Sequence, residues 1–276
     1  MDYINGRWKK AKDTKIGKDV KIHPTAEINV VERLYIGDRT IINAHAKIEG
    51  NEVIIGREAW IHEYSWIGGG GCFEKHGFLW VKDFLHLGRF AHINTADAVI
   101  IGNEVGIGHQ SNIWTHGGYL PVDCGFPYQL GGVTIGNRTW LPHSWVNPGV
   151  KIGSNVVVAA NSLINKNLPD GCLAAGYPVK IIEANAFPRI DYESDFNLER
   201  HIKTFVDFKF IFDFNNRIIK VGDTTFYLSG RVIEGPVTKQ SERVKDLLRR
   251  NGIRFKFFND KGMYKEWKDD HYFSWP

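Results

Sequence analysis

Residues 55–67 decide the fold, and they read Ile55-Gly56-Arg57-Glu58-Ala59-Trp60-Ile61-His62-Glu63-Tyr64-Ser65-Trp66-Ile67. An isoleucine returns at every sixth position, and a small residue stands two positions before the second and the third isoleucine. A helix repeats its apolar residues every three or four positions, and an isolated strand every two. The period of six therefore predicts a solenoid of very short strands, in which each coil stacks its inward aliphatic side chains on the coil below.

The same two registers extend through the first two thirds of the chain. Glycine often follows the aliphatic residue, and we expect it there to adopt backbone conformations that a side chain forbids. Insertions fall between groups of repeats, where loops can leave the solenoid at its corners, and the longest lies between Ile113 and Ile135. The aliphatic series comprises Ile16, Ile22, Ile28, Ile36, Ile42, Ile48, Ile55, Ile61, Ile67, Leu87, Ile93, Ile101, Ile107, Ile113, Ile135, Leu141, Ile152, Val158 and Ile164.

The period of six stops near residue 188, which predicts a solenoid domain over 1–187 and a small α+β domain over 188–276. In the second domain, Ser241 is the predicted cap of a helix that ends at Asn251-Gly252. Alternating apolar residues predict strands on both sides of this helix. The predicted strands cover 208–214, 217–228 and 253–258, and residues 178–188 are predicted to connect the domains.

Composition limits the classes of function. The net charge of +4 comes from dispersed Lys and Arg residues rather than from a basic stripe, so we expect no nucleic-acid partner. Cys72, Cys124 and Cys172 suit neither a disulfide framework nor a CxxC metal site, which favours a reducing compartment. Residues 1–6 lack an apolar signal segment, and no apolar run has the length of a membrane span. We therefore predict a cytoplasmic protein.

Three stretches carry a resemblance to a known family. They are Val133-Thr134-Ile135-Gly136-Asn137-Arg138-Thr139-Trp140-Leu141-Pro142, Val146-Asn147-Pro148-Gly149-Val150-Lys151-Ile152-Gly153 and Ala174-Ala175-Gly176-Tyr177-Pro178-Val179-Lys180. With the repeats, they make residues 14–185 similar to the hexapeptide-repeat acyltransferases, especially the galactoside, maltose and xenobiotic acetyltransferases. The resemblance implies a mainly β, left-handed parallel β-helix with a small C-terminal α+β appendage. It also implies acetyl-CoA as co-substrate, no metal, and a homotrimer with active sites between neighbouring solenoids.

The resemblance also assigns residues. His116, in the longest insertion, matches the family histidine that deprotonates the acceptor. Imidazole suits this task because it is largely neutral at cellular pH, and a hydrogen bond on one ring nitrogen frees the other to accept a proton. Asn94, Asp97 and Asp123 are candidates for that hydrogen bond or for contact with the acceptor, and the sequence leaves the choice open.

For acetyl-CoA, the resemblance places the pantetheine arm along Trp140 and Ala160. It places the phosphates near Asn165, Lys166 and Lys180, and a Lys ammonium is suited to phosphate as a point charge.

Other functions stay open. A γ-type carbonic anhydrase has the same solenoid, and His109, His116 and His143 are its imaginable zinc ligands, although their spacing differs from that family's. A non-catalytic scaffold is a second alternative, since fold does not dictate function. For an acetyltransferase, we expect a sugar acceptor, such as a nucleotide sugar or a surface-polysaccharide precursor, with an antibiotic-like xenobiotic as the alternative.

Overall fold

The computed structural model describes residues 8–9, 11–189 and 192–267. The chain divides into two compact units, Met1–Pro188 and Arg189–Pro276. Residues 1–7, on which the expectation of no signal segment rests, lie outside the described ranges.

The first unit is a parallel β-helix whose core consists of three columns of aliphatic side chains. Each column stacks residue on residue through parallel pairing of successive coils, and a second stack that includes Leu34, Val53, Leu79 and Val99 is buried beside the first column. Val81 and Val146 fill two places that the aliphatic series left open, so that the columns run without a break. The predicted fold class is confirmed. The columns are Ile16, Ile36, Ile55, Val81, Ile101, Ile135 and Ile152; Ile22, Ile42, Ile61, Leu87, Ile107, Leu141 and Val158; and Ile28, Ile48, Ile67, Ile93, Ile113, Val146 and Ile164.

The small residues of the second register are buried at the inner corners, as Ala59 and Ser65 show. The role expected of the glycines was wrong at most positions. Gly37 does not take a left-handed conformation, and Arg39 does so instead, with φ of 56°. Gly37 is needed for close approach, because an added Cβ would lie 2.4 Å from the carbonyl carbon of Gly56 in the next coil.

The strands are short because each side of a coil is only a few residues long. A 3₁₀ turn, Val122–Cys124, lies in the longest insertion. In chain order the strands are β1 (Trp8–Lys9), β2 (Asp13–Ile16), β3 (Lys21–Ile22), β4 (Glu27–Ile36), β5 (Ile41–Ile42), β6 (Lys47–Ile55), β7 (Trp60–Ile61), β8 (Trp66–Gly68), β9 (Phe78–Val81), β10 (His86–Leu87), β11 (His92–Asn94), β12 (Val99–Ile101), β13 (Gly106–Ile107), β14 (Asn112–Ile113), β15 (His116–Gly117), β16 (Gln129–Leu130), β17 (Val133–Ile135), β18 (Trp140–Leu141), β19 (Trp145–Val146), β20 (Lys151–Ile152), β21 (Val157–Val158), β22 (Leu163–Ile164), β23 (Leu173–Ala175) and β24 (Lys180–Glu183).

The last strand of the solenoid reverses direction. β24 pairs antiparallel with β23, with Ala175 opposite Lys180, whereas the preceding strands of the same sheet pair in parallel. Residues 178–188, predicted as a plain connection, therefore include a strand. All four residues of β24 are exposed.

The second unit is an antiparallel sheet with two helices, of which only the second was predicted. α2 is capped by Thr238 rather than by Ser241, because Ser241 occupies the N3 position of a capping box with Thr238. The strand predicted over 253–258 instead begins at Phe257. The elements are α1 (Tyr192–Phe205), β25 (Ile211–Asp213), β26 (Ile218–Val221), β27 (Thr224–Tyr227), β28 (Val232–Pro236), α2 (Lys239–Arg250), β29 (Phe257–Asp260) and β30 (Met263–Glu266), in the sheet order β25-β26-β27-β28-β30-β29.

The core of this unit packs one face of α2 against the sheet. Val244 and Leu248 are fully buried with Ile219 and Phe226. Neither α1 nor α2, the helices of the described ranges, has the length and hydropathy needed to cross a bilayer.

Candidate active site

Asn94 and His116 are brought together by the third column of the solenoid. Ile93 pairs with Ile113 in parallel, so the residues that follow each of them emerge side by side at one corner. Asn94 ends β11, and His116 begins β15 after the chain has left β14. Two residues that lie 22 positions apart in the sequence thereby become neighbours.

The two side chains are joined by a hydrogen bond of 2.9 Å between Nδ1 of His116 and Oδ1 of Asn94. The orientation of the amide is fixed by its other partners. Its Nδ2 donates to the carbonyl oxygen of Gly68 at 3.2 Å, and its Oδ1 accepts from the backbone N–H of Ala96 at 3.3 Å. A backbone N–H only donates and a carbonyl only accepts, so Oδ1 faces His116 and Nδ1 must carry the proton. Nε2 of the neutral imidazole is then the proton acceptor.

Asn94 is 1% exposed and therefore rigidly held, and Thr115 completes its surroundings. The Thr115 hydroxyl donates to Oδ1 of Asn94 at 2.6 Å and accepts from the backbone N–H of Asp97 at 3.1 Å. The Asp97 carboxylate in turn accepts from the N–H of Ala98 at 2.7 Å. Of the three predicted partners, Asn94 therefore contacts His116, while Asp97 shapes the turn around Thr115.

Asp123 lies apart from this network. It is in the exposed 3₁₀ turn near the tip of a loop whose base is the antiparallel pair β15–β16, where His116 lies opposite Leu130. Within the described ranges no hydrogen bond connects Asp123 to His116. The hydrogen bond on Nδ1 of His116 is thus made by Asn94, and contact of Asp123 with the acceptor stays a prediction.

A glycine-rich segment, Gly68–Cys72, forms the wall opposite His116, and the sequence analysis did not identify it. A Cβ placed on Gly70 would lie 3.6 Å from Nε2 of His116. The run of four glycines was the available signal. The sequence analysis could not assign this run to the site, because only the coil register brings residue 70 close to residue 116.

His92 is a second histidine near the candidate base. Its ring stacks on Trp66, with centroids 4.4 Å apart. It also packs against Trp114 in a T-shaped arrangement, with centroids 5.1 Å apart. Burial lowers the pKa of His92, and the proximity of His116 lowers it further. His92 is therefore a neutral, packed side chain behind the site.

Trp140, predicted to contact pantetheine, projects outward from β18 and is 40% exposed. Its indole lies against Gly106 of the preceding coil, where an added Cβ would come within 2.3 Å of the ring carbon Cε3. The absence of a side chain at Gly106 therefore sets the position of the tryptophan.

The other residues predicted to bind acetyl-CoA lie on the last coils and are exposed. Ala160 follows β21 at one corner, whereas Asn165 and Lys166 follow β22 at the next. Lys180 begins β24, opposite Ala175. The structure thus places these residues at the same end of the solenoid but on different sides of the coil.

A surface cleft of about 390 Å³ lies between the later coils. Its lining includes Trp145, Tyr177 and His143, together with the polar side chains of Asn112 and Ser162.

The three histidines named as possible zinc ligands can also be located. The ring centroids of His143 and His109 lie 6.5 Å apart. Across residues 8–9, 11–189 and 192–267, no three His, Cys, Asp or Glu side chains form a metal-binding group. Within the described part of a single chain, His109, His116 and His143 are therefore not grouped as a zinc site.

Two curated proteins of Escherichia coli strain K12 are similar to parts of this chain. Galactoside O-acetyltransferase is 39% identical over 72 residues, which is 25% of this chain and 36% of that protein. WbbJ, named provisionally as a lipopolysaccharide biosynthesis O-acetyl transferase, is 31% identical over 120 residues, covering 39% of this chain and 61% of WbbJ. The matches thus span between about a third and three fifths of these relatives' length.

Among solved structures, a galactoside acetyltransferase in complex with coenzyme A aligns with 24% identity and a TM-score of 0.40, covering 48% of this chain and 64% of that one. No family model matches the chain. The resemblance to the hexapeptide-repeat acyltransferases, indicated by the sequence, is confirmed by the curated relatives.

Proposed function

We propose that this protein is an acetyl-CoA-dependent acetyltransferase in which His116 is the general base. The observation that carries the proposal is the bond from Nδ1 of His116 to Asn94, since it leaves Nε2 as a free proton acceptor. The names of the curated relatives support acetyl transfer.

The chemistry needs only positioned groups of the protein. Nε2 of His116 removes the proton from the acceptor as its oxygen or nitrogen attacks the thioester carbonyl. Collapse of the tetrahedral intermediate breaks the carbon–sulfur bond, and the proton passes from the imidazole to the departing thiolate. Asn94 stabilises the imidazolium formed in between, because its Oδ1 accepts the remaining Nδ1 proton.

The exposed side chains of the last coils support acetyl-CoA as the donor. Lys166 and Lys180 provide cations for its phosphates, and Trp140 offers a flat apolar surface to the pantetheine arm. Ala160 and Asn165 are exposed on the same coils and are proposed to contact the donor as well.

We further propose a homotrimer, supported by an exposed aromatic surface. Tyr64 and Phe90 stack with centroids 5.2 Å apart and are each about half exposed. In the hairpin loop beyond His116, Tyr119 is 98% exposed. Large apolar residues exposed together are typical of a surface that associates.

A sugar is the proposed acceptor, because the relatives' names refer to galactosides and to lipopolysaccharide biosynthesis. The polar and aromatic lining of the cleft near Trp145 and Asn112 suits a polyhydroxyl compound. We expect a cytoplasmic enzyme, as its donor is a cytoplasmic metabolite, and an antibiotic-like acceptor remains the alternative.

The test is release of free thiol from acetyl-CoA in the presence of galactosides, nucleotide sugars, aminoglycosides and streptogramins. His116→Ala should reduce turnover roughly 10²-fold or more while the affinity for CoA stays nearly unchanged. His23→Ala, at an exposed histidine far from the proposed site in the sequence, is the control and should remain active. A protein that neither binds CoA nor acetylates any of these acceptors would support the non-catalytic alternative.

A further inference from the structure

We propose that Gly70 is a specificity-determining position that holds open the approach to Nε2 of His116. In this arrangement the hydroxyl or amine of the acceptor passes over the Cα of Gly70 to reach the base. This inference rests on the proposed function in one respect, namely that His116 acts as the base.

The first support is distance. A Cβ on Gly70 would lie 3.6 Å from Nε2 and 3.7 Å from Cε1 of His116. A group that gives its proton to Nε2 must come within about 2.6–3.2 Å of that nitrogen. A methyl group on Gly70 would occupy part of the space that such a group needs.

The second support is that the segment around Gly70 is anchored at both ends. The carbonyl oxygen of Gly68 accepts from Nδ2 of Asn94 and from the backbone N–H of Thr95, both at 3.2 Å. At the other end, the Cys72 side chain is fully buried, and its carbonyl oxygen accepts from the N–H of Asn51 at 2.7 Å. The segment therefore has little freedom to withdraw from a new side chain.

The third support is that Gly70, unlike the neighbouring glycines, has a backbone conformation that a side chain can adopt. Gly68, Gly69 and Gly71 have φ values of 134°, 105° and 82°, which side chains rarely adopt. Gly70 has no such φ, and an added Cβ there would meet only ordinary van der Waals contacts. Since Gly70 is also exposed, neither the backbone nor the packing requires glycine at this position. The open space beside Nε2 is the remaining reason for it.

The experiment compares Gly70→Ala with Gly117→Ala in the full chain. Gly117 follows His116, has no positive φ, and an added Cβ there would meet nothing within 4 Å. Both variants should unfold at the temperature of the wild type. The first measurement is the rate at which diethyl pyrocarbonate modifies His116, followed by peptide mass spectrometry with the exposed His23 as internal reference.

We expect Gly70→Ala to slow modification of His116 several-fold, with His23 unchanged, and Gly117→Ala to leave both rates as in the wild type. Equal His116 rates in the two variants would overturn the proposal. The second measurement is acetyl transfer, in which Gly70→Ala should lower kcat/KM for the acceptor about tenfold or more without changing the affinity for acetyl-CoA. Retained kcat/KM would also overturn it. If the wild type acetylates nothing, the proposed function fails, whereas the modification rates still decide whether Gly70 controls access.

Discussion

The Oδ1 atom of Asn94 accepts the Nδ1 proton of His116 at 2.9 Å, although the two residues belong to different coils. Asn94 is buried and has further bonds to Gly68, Ala96 and Thr115, so the imidazole is fixed in one tautomer by a side chain that is itself immobile.

Asn94→Ala should therefore lower turnover roughly tenfold or more, because the imidazole loses its fixed tautomer and the stabiliser of its charged form. The affinity for acetyl-CoA should change little. Asn103→Ala is the control, since Asn103 also bonds across coils: its Oδ1 accepts from the backbone N–H of Asp83 at 3.1 Å. Steady-state kinetics check this, and equal losses in the two variants would reduce Asn94 to a structural role.

Gly106→Ala should weaken CoA binding by displacing the Trp140 indole, which lies where the new methyl group would be. The affinity is measured by calorimetry in a double-mutant cycle with Trp140→Ala. If the ring contacts the donor, Gly106→Ala weakens binding in the wild type and has little further effect once Trp140 is removed. Additive effects of the two substitutions would contradict this mechanism.

Lys166→Met and Lys180→Met should each raise the Kd for CoA roughly two- to fivefold at low salt, as expected for an exposed charge pair. The effect should shrink as salt is added, because ions screen exposed charges. Lys21→Met, at an exposed lysine of the first coil, is the matched control. A salt-independent effect, or the same change in the control, would exclude direct phosphate contacts.

Tyr64→Glu combined with Phe90→Glu should dissociate the oligomer, because it puts two charges into the stacked aromatic surface that we propose to lie between subunits. Sedimentation equilibrium should show a trimer for the wild type and a smaller species for the variant. The matched control is Phe258→Glu, at an exposed aromatic residue of the second unit. A wild-type monomer would contradict the trimer directly.

Acidification should destabilise the protein through His92. Burial lowers the pKa of His92 in the folded state below the ordinary value of about 6.5. Between these two pKa values the unfolded chain binds more protons, so the free energy of unfolding falls as the pH decreases through this window.

Urea unfolding at about pH 7.5 and about pH 5.5 measures this dependence. His92→Gln should show a smaller loss of stability on acidification than the wild type, whereas His23→Gln, at an exposed histidine, should behave like the wild type. The His62 pKa is also lowered by burial, so part of the dependence should persist in His92→Gln. An unchanged loss in His92→Gln would contradict the prediction.

The solenoid was predictable because its signal is local and repeated. Each side of a coil buries an aliphatic residue at the same position of the repeat, so the sequence displays the period directly, as at Ile55, Ile61 and Ile67. The predicted reason for the glycines was wrong, because contact between coils, as between Gly37 and Gly56, depends on stacking rather than on the local conformation.

The site was only partly predictable. His116 was identified through a resemblance, and Asn94 was one of three open candidates. Choosing among them requires the coil register, which depends on the lengths of the insertions between coils. Gly70 could not be predicted for the same reason: its proximity to His116 depends on the coil register, and nothing in the local sequence relates residue 70 to residue 116.

The reversed strand β24 has a consequence for the molecule as a whole. A parallel solenoid has no natural stopping point, because the edge of its last coil can receive the first coil of another copy and so grow into a fibre. On the sheet that ends in β24, that edge is antiparallel and carries Lys180 and Glu183 at its two ends. An incoming coil would meet the wrong strand direction and the charged side chains of Lys180 and Glu183, so β24 opposes end-to-end polymerisation along this side.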